Sequence, residues 1–370
     1  MRICLFTPNF LPSVGGTELA VDAMARGFHR RGEHVVVLAQ GRPASLEVPY
    51  PVEWYARPPW PRAFPERVGA TLARLHQRER FDLFVTKYAH PTGYAALRLG
   101  RRVGVPTVVI SQGGDLYRSS RDRQRPHLWK RTLHTYRNAD GLVAISPYVE
   151  QLIREINPQP RLLESIPNGV DVEAINEPAA RPADFALERP FCMCLGNLGP
   201  MKGFDDAIRG YAQAREQLGP MAMVIVGDGP LESALGQRAQ ELKLDRDVVF
   251  AGRRVGNDKR WFLQNCQFGV APSLEEGHAL VGLEFLAAGK ALLCTTNASF
   301  DGTCQHAVNG MRIEPGDVGA IGEALIGLAK ADLEAMGAAS RRIAQQFEWS
   351  RVVDRYLAFF RSVLARSVER

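Results

Sequence analysis

Short apolar runs alternate along this chain with stretches whose apolar residues recur every three or four positions. In the first half the runs fall at 2–6 (RICLF), 34–39 (HVVVLA), 81–86 (FDLFVT), 106–111 (PTVVIS) and 141–145 (GLVAI). The stretches between them are helical in spacing, as at 17–31, where Leu19, Ala20, Ala23, Met24 and Phe28 share a face. Continuous apolar strands joined by helices predict a parallel sheet covered on both faces. The pattern lapses over 171–190 (DVEAINEPAARPADFALERP), whose Pro, Ala and charge read as a linker. It restarts with runs at 191–195 (FCMCL), 221–226 (MAMVIV), 247–251 (DVVFA), 267–271 (QFGVA) and 291–295 (ALLCT). Two consecutive parallel α/β domains are therefore expected. The closing stretch 350–366 is an amphipathic helix, with Val352, Val353, Tyr356, Leu357, Phe360 and Val363 on one face. The segment 56–67 (ARPPWPRAFPER) reads as an irregular surface loop.

Composition narrows the class. A length of 370 residues suits two domains at about 100–200 residues each. With 45% apolar and 23% charged residues the chain has enough apolar surface to fold, which excludes a disordered protein. The six cysteines sit mostly in apolar runs and are expected as buried thiols of a reducing compartment. Cys192 and Cys194 are read as lying on opposite faces of one strand, and so not as a metal knuckle. No run approaches the ~20 apolar residues that span a bilayer. The opening MRICLFTPNF leads straight into a strand without a signal-peptide pattern, so a cytoplasmic location is expected. Net charge is +6, unevenly spread: residues 1–170 hold 24 Lys+Arg and 14 Asp+Glu (+10), the remainder 22 and 26 (−4). A basic first half predicts an anionic partner there, although a solvated basic surface would look the same.

Chemistry-bearing residues cluster after the strands. Gly15 and Gly16 lie between the first strand and a helix beginning near Thr17, where backbone N–H groups are open to an anion or simply make a tight turn. The spacing is not GxGxxG. In GNLGPMKG, residues 196–203, Lys202 stands just before a helix, a place that suits a pyrophosphate. Gly227-Asp228-Gly229-Pro230 reads first as a turn with Pro at a helix start. Glu276 lies in the loop after a buried strand, and Glu284 follows eight residues later inside the next helix. One carboxylate thus occupies the crevice at a strand's carboxyl end, and the other stands about two turns along the helix. Carboxylates accept hydrogen bonds from the vicinal hydroxyls of sugars and ribose. Glu284 sits in the apolar run LVGLEFLAAG, where a charge needs a partner.

In this order the residues resemble the retaining family-4 glycosyltransferases of GT-B fold. The resemblance is carried by Gly15-Gly16, Arg31-Gly32-Glu33-His34-Val35, Asp82, Ala144-Ile145-Ser146, Ile166 to Asp171, Lys202-Gly203, Gly227 to Pro230, and Glu276 to Glu284. It implies an α/β fold of two Rossmann-like domains whose parallel sheets face a central cleft. Residues 1–171, completed by a terminal helix at 350–370, would bind the acceptor, and 172–349 the nucleotide-sugar donor. It further implies that Glu276 contacts the transferred sugar, Glu284 the donor ribose and Lys202 the diphosphate. Gly15 and Gly16 would close over the phosphates. Gly277 and the backbone N–H groups of His278, Ala279 and Leu280 would face the donor, and Arg253, Arg254 and Val255 its base. Gln112 and Asp115, in SQGGD, would stand with Glu276 and Lys202 at the catalytic centre. Three departures fall at the donor site: Asn197 where the family usually has Arg, Gln112 where it often has His, and Glu-Gly-His-Ala for the usual Glu-Gly-Phe-Gly. Arg253, Arg254 and Lys87 are candidates for a substitute cation, and the sequence does not choose among them.

The implied reaction moves a hexosyl group from a UDP- or GDP-sugar to a hydroxyl, with no cofactor and no metal. The acceptor would be a glycan or lipid-linked glycan of cell-envelope polysaccharide or lipopolysaccharide assembly. Basic, aromatic segments at 56–67 and 118–137 would hold it at an anionic membrane surface, and no nucleic acid is expected. Two alternatives stand beside this reading: a nucleotide-sugar epimerase or hydrolase of the same fold, and a non-catalytic partner subunit.

Overall fold

Strands that are apolar on both faces need helices above and below them, and this requirement shapes both halves of the chain. The computed structural model describes residues 1–12, 15–41, 46–56, 64–117, 120 and 122–368. Most of the proline-rich 56–67 segment, and Arg121, lie outside the described residues. The chain forms two units, Met1–Asn168 with Trp349–Arg370, and Gly169–Glu348.

The first unit carries β1 (Arg2–Thr7), β2 (His34–Gln40), β3 (Val52–Tyr55), β4 (Leu83–Lys87), β5 (Thr107–Ser111), β6 (Gly141–Ala144) and β7 (Leu163–Ser165). They make one sheet in the order β3-β2-β1-β4-β5-β6-β7, every pair parallel. Its helices include α1 (Gly16–Arg30), α2 (Phe64–Glu79), α3 (Tyr94–Val103), α4 (Pro126–Asn138) and α5 (Pro147–Ile156). Strand order reverses between β1 and β4, which opens a crevice at the carboxyl ends of these strands. The last helix, Trp349–Val368, lays its apolar face on the first unit, with Phe28 edge-on to Tyr356 and Phe360 at 6.4 and 5.6 Å. The Arg31–Val35 turn fastens it: Arg31 pairs with Asp354 and donates to the Ser350 carbonyl at 2.7 Å, and Glu33 lies 3.4 Å from Arg361.

The second unit repeats the plan with β8 (Phe191–Leu195), β9 (Ala222–Val226), β10 (Val248–Gly252), β11 (Phe268–Ala271), β12 (Ala291–Thr295) and β13 (Gly310–Ile313), ordered β10-β9-β8-β11-β12-β13. Helices α6 (Val172–Asn176), α7 (Phe204–Leu218), α8 (Glu232–Glu241), α9 (Gly256–Asn265) and α10 (Leu280–Ala287) position the residues discussed below.

The structure departs from the sequence expectations in three places. Strands β3, β7 and β13 were not foreseen; each is short, lies at a sheet edge and is partly solvated, so none presents a continuous apolar run. Residues 171–190 are not a free linker. Asp171 caps α6 by accepting from the Ala174 N–H at 2.8 Å, and Phe185 is buried against Trp261 and Phe262 at 5.7 and 4.7 Å. Proline and alanine there signal irregular backbone rather than a lack of packing. Cys192 and Cys194 are two apart on one strand and share a face within a single buried cluster, as the two-residue period of a strand requires. All six cysteines are buried free thiols.

Two glycines let loops meet. Gly203 (φ +68°) presses on the Pro272 carbonyl and Gly227 (φ +151°) on the Gly196 carbonyl, so closely that a Cβ at either would overlap the oxygen. Gly227→Ala is expected to lower unit-two stability by about 3 kcal/mol, through backbone strain and overlap together. Gly236→Ala is expected to raise it by about 0.5–1 kcal/mol, because that helical position has open space around it. Thermal melts of both variants check the opposite signs.

Candidate active site

The first cluster forms where the loops after β8 and β11 meet. After β8 the chain turns through Gly196 to Gly199, makes a 3-10 turn at Pro200–Lys202 and enters α7. The Leu274 N–H donates to the Met201 carbonyl at 2.8 Å, so the β11 loop is bonded directly to that turn. This brings Lys202 Nζ to 2.5 Å from Glu276 Oε1. The other oxygen of Glu276 accepts from the Ser273 hydroxyl at 2.9 Å, and the Ser273 carbonyl accepts from Thr295 Oγ1 at 2.8 Å. The carboxylate is therefore aimed from two sides while the pair stays partly open, 25% exposed at Lys202 and 16% at Glu276. Lys202 has donors to spare, and Glu276 has lone pairs for ligand hydroxyls.

Asn197 donates to the Asp228 carbonyl at 3.2 Å, which also accepts from the Leu198 N–H at 2.8 Å, so its amide braces the Gly227–Pro230 turn. Arg253 approaches Asp228 at 3.9 Å. Arg254 is engaged by the scaffold: it grips Asp184 with two bonds of 2.8 and 2.7 Å, donates to the Ala251 carbonyl at 2.7 Å and lies over Phe262. Val255, just before α9, is exposed.

Glu284, on α10, has the partner its apolar setting demands: Lys259 Nζ on α9, at 2.7 Å. Lys259 was missed from the sequence. The signal was the unmatched charge in LVGLEFLAAG together with a lysine one turn into the preceding helix. Between the two glutamates, Gly277 and Ala279 are buried. His278 is buried against Phe347, and burial pushes its imidazole down to about 4, only partly offset by Glu276, so the ring is neutral. Its Nδ1 has no partner among the described residues. The Leu280 N–H donates to the His278 carbonyl at 3.0 Å, in the tight turn that opens α10.

Four of the expected site residues belong to the first unit. Gly15, in extended conformation, precedes α1, and its carbonyl accepts the first helical bond, from the Leu19 N–H at 3.1 Å; Gly16 is the first helical residue. Tyr88 Oη stands 3.4 Å from Thr17 Oγ1. Gln112 follows β5, and its Nε2 is buried without a partner among the described residues. Asp115 is buried; it accepts from the Ala89 N–H at 3.0 Å and from the Tyr136 hydroxyl at 3.0 Å. Tyr136 also reaches Ser111 Oγ at 2.7 Å. Burial pushes the Asp115 carboxyl up, against the opposing pull of the Ala89 and Tyr136 bonds. Asp115 thus fastens the helical turn at Ala89–Gly93 to α4. Around α4, Arg123 lies 4.7 Å over Trp129 and Arg131 lies 5.3 Å over Tyr94, while Arg125 and Lys130 are exposed. No helix among the described residues is long and apolar enough to cross a membrane.

Comparison with known proteins gives this arrangement a setting. Residues 14–174 match the Glycosyltransferase Family 4 model, and residues 189–331 match the Glycosyl transferases group 1 model. The N-acetylgalactosamine-N,N'-diacetylbacillosaminyl-diphospho-undecaprenol 4-alpha-N-acetylgalactosaminyltransferase of Campylobacter jejuni is 30% identical over 41% of this chain and 40% of its own length. The GDP-mannose-dependent alpha-(1-6)-phosphatidylinositol monomannoside mannosyltransferase of Mycobacterium tuberculosis is 30% identical over 54% and 56%. The matches thus span about half the length of these curated relatives. The structure of Anabaena HepE in complex with UDP-glucose superposes with a TM-score of 0.80 at 18% identity, covering 98% of this chain and 100% of that one. With a family model on each half and two parallel-sheet Rossmann-like domains of the GT-B fold class, the chain belongs to the family-4, group 1 glycosyltransferases.

Proposed function

We propose that this glycosyltransferase moves a hexosyl group, with retention at the anomeric carbon, from a UDP- or GDP-sugar to a hydroxyl of a glycan or lipid-linked acceptor of the cell envelope. The observation that carries the reading is the Lys202–Glu276 pair, a cation and a carboxylate held together at the carboxyl edge of a Rossmann-like sheet. The names of the relatives support the substrate classes: one is GDP-mannose-dependent and acts on a phosphatidylinositol mannoside, and one acts on a diphospho-undecaprenol glycan.

In this mechanism the diphosphate takes Lys202 from Glu276, and the freed carboxylate accepts the sugar hydroxyls. Glu284, held in place by Lys259, accepts from the ribose diol. As the bond from the anomeric carbon to the phosphate oxygen stretches, negative charge grows on the diphosphate, and Lys202 stabilises it without a metal. The acceptor oxygen forms its bond on the same face of the sugar, and its proton passes to the departing phosphate oxygen. His278, neutral and buried, adds no charge. Asp115 and Asn197 act as positioning residues, and the exposed cations around α4 hold the acceptor's membrane surface.

Three outcomes are expected. Lys202→Ala loses about 10²–10³ in turnover, the usual effect of removing a preorganised donor at developing charge, and Lys202→Arg restores only part of it. Arg254→Ala instead lowers the melting temperature while the folded enzyme keeps its turnover; steady-state kinetics with circular dichroism separate these cases. A large turnover loss at Arg254 with a mild one at Lys202 would put the diphosphate elsewhere.

Glu276→Gln is expected to reduce turnover strongly. Glu284→Gln should weaken nucleotide binding about tenfold, the worth of one hydrogen bond to a charged group. Thermal shift with UDP, GDP and their sugars reads the second effect, since a ligand at ~100 times its dissociation constant adds ~2.7 kcal/mol of stability. The same screen identifies the base. Product analysis with and without acceptor separates transfer from hydrolysis or epimerisation.

Binding to anionic vesicles should exceed binding to neutral ones and fall as salt shortens the screening length from ~10 Å at 0.1 M to ~3 Å at 1 M. Charge reversal at Arg125 and Lys130 together should weaken it further in co-sedimentation. Equal binding to both vesicle types contradicts an electrostatic surface.

A further inference from the structure

Lys87 ends β4 and is only 3% exposed, and its Nζ has no hydrogen-bond partner among the described residues. The two lysines of the second-unit site are paired, Lys202 with Glu276 and Lys259 with Glu284. Burying an ammonium without a partner is costly, and a Met would fill a similar space without that cost. Burial alone pushes the Lys87 amine down to about 7, so it can be charged near neutrality once an anion is present.

Its place in the sheet is informative. Lys87 pairs in register with Ile110 of β5, and it lies at the end of β4 beside the reversal of strand order between β1 and β4. Open α/β sheets take their ligands at such a point. Gln112, one residue beyond β5 at the same edge, carries the second orphan, a buried Nε2 that can only donate. The nearby buried carboxylate in sequence, Asp115, is already engaged by Ala89 and Tyr136. The edge therefore offers two donors without partners among the described residues, one of them an amine that can take up a proton, and its buried carboxylate is committed elsewhere.

We propose that Lys87 and Gln112 form an anion subsite in the first unit that receives a phosphoryl group of the acceptor substrate. Only the word acceptor rests on the transfer reading above; the anion subsite stands on the buried donors alone. The same chemistry could be met by the donor's diphosphate, and the experiment separates the two sources.

Inorganic phosphate and UDP or GDP, whichever the chain binds, are titrated calorimetrically into the full chain and into the variants Lys87→Met, Lys87→Arg, Gln112→Leu and Lys202→Met. Phosphate affinity is expected to fall about tenfold or more in Lys87→Met and measurably in Gln112→Leu, because a charge-assisted bond is lost. Lys87→Arg should keep part of it. Nucleotide affinity should be retained in Lys87→Met and reduced in Lys202→Met. Lys87→Met should also melt at a higher temperature than the wild type, since the buried unpaired amine is gone. Unchanged phosphate affinity in both Lys87→Met and Gln112→Leu, or no saturable phosphate binding to the wild type, overturns the subsite. An equal loss of nucleotide affinity in Lys87→Met overturns the acceptor assignment. None of these readouts needs turnover, so phosphate binding at Lys87 in a chain that transfers no sugar would sink the transfer reading and leave the subsite standing.

Discussion

The candidate donor site depends on two loops being pressed together, with Gly203 against the Pro272 carbonyl and the Leu274 N–H on the Met201 carbonyl. Separate these loops and Lys202 and Glu276, 74 positions apart, no longer meet. Their contact has a topological origin. Strands β8 and β11 are neighbours although β9 and β10 intervene in sequence, so the loops leaving their carboxyl ends lie side by side. A residue with a side chain at Gly203 would push them apart. The Lys202–Glu276 contact thus rests on one backbone position without a Cβ.

Both glutamates read as ligand contacts are paired with lysines, and this has an energetic meaning. Each lysine holds its carboxylate in one orientation, and removing one partner of a partly buried pair would leave the other charge without a partner. A ligand that brings hydroxyls to the carboxylate and phosphate oxygens to the lysine replaces one set of charge-assisted bonds by another, so neither charge is stranded when the pair opens. Lys87 is the contrast: a buried amine whose Nζ has no hydrogen-bond partner among the described residues.

Much of this was legible in the sequence. The ten apolar runs read as strands correspond to strands in the structure: nine are central strands of a parallel sheet, apolar on both faces, and the tenth, β10, is an edge strand that keeps an apolar run (VVFA). The amphipathic stretch at 350–366 forms the last helix, because six apolar residues at helical spacing need a covering surface. What was not legible has physical causes. Edge strands such as β7 (LES) carry no apolar signature. The Lys259 partner of Glu284 comes from another helix, and no local pattern links α9 to α10. The scaffold bonds of Arg254 and Asp115 depend on Asp184 and Tyr136, which are distant in sequence. The resemblance implies ligand contacts for both, and in the structure both are bonded to the scaffold.

The most direct measurement is a crystal structure of the chain with a UDP- or GDP-sugar bound. The expected result has the Lys202–Glu276 pair opened, Lys202 Nζ at about 2.7–3.2 Å from a diphosphate oxygen, and the Glu276 carboxylate on hydroxyls of the transferred sugar. A bound donor whose diphosphate and sugar lie away from an intact Lys202–Glu276 pair would contradict it.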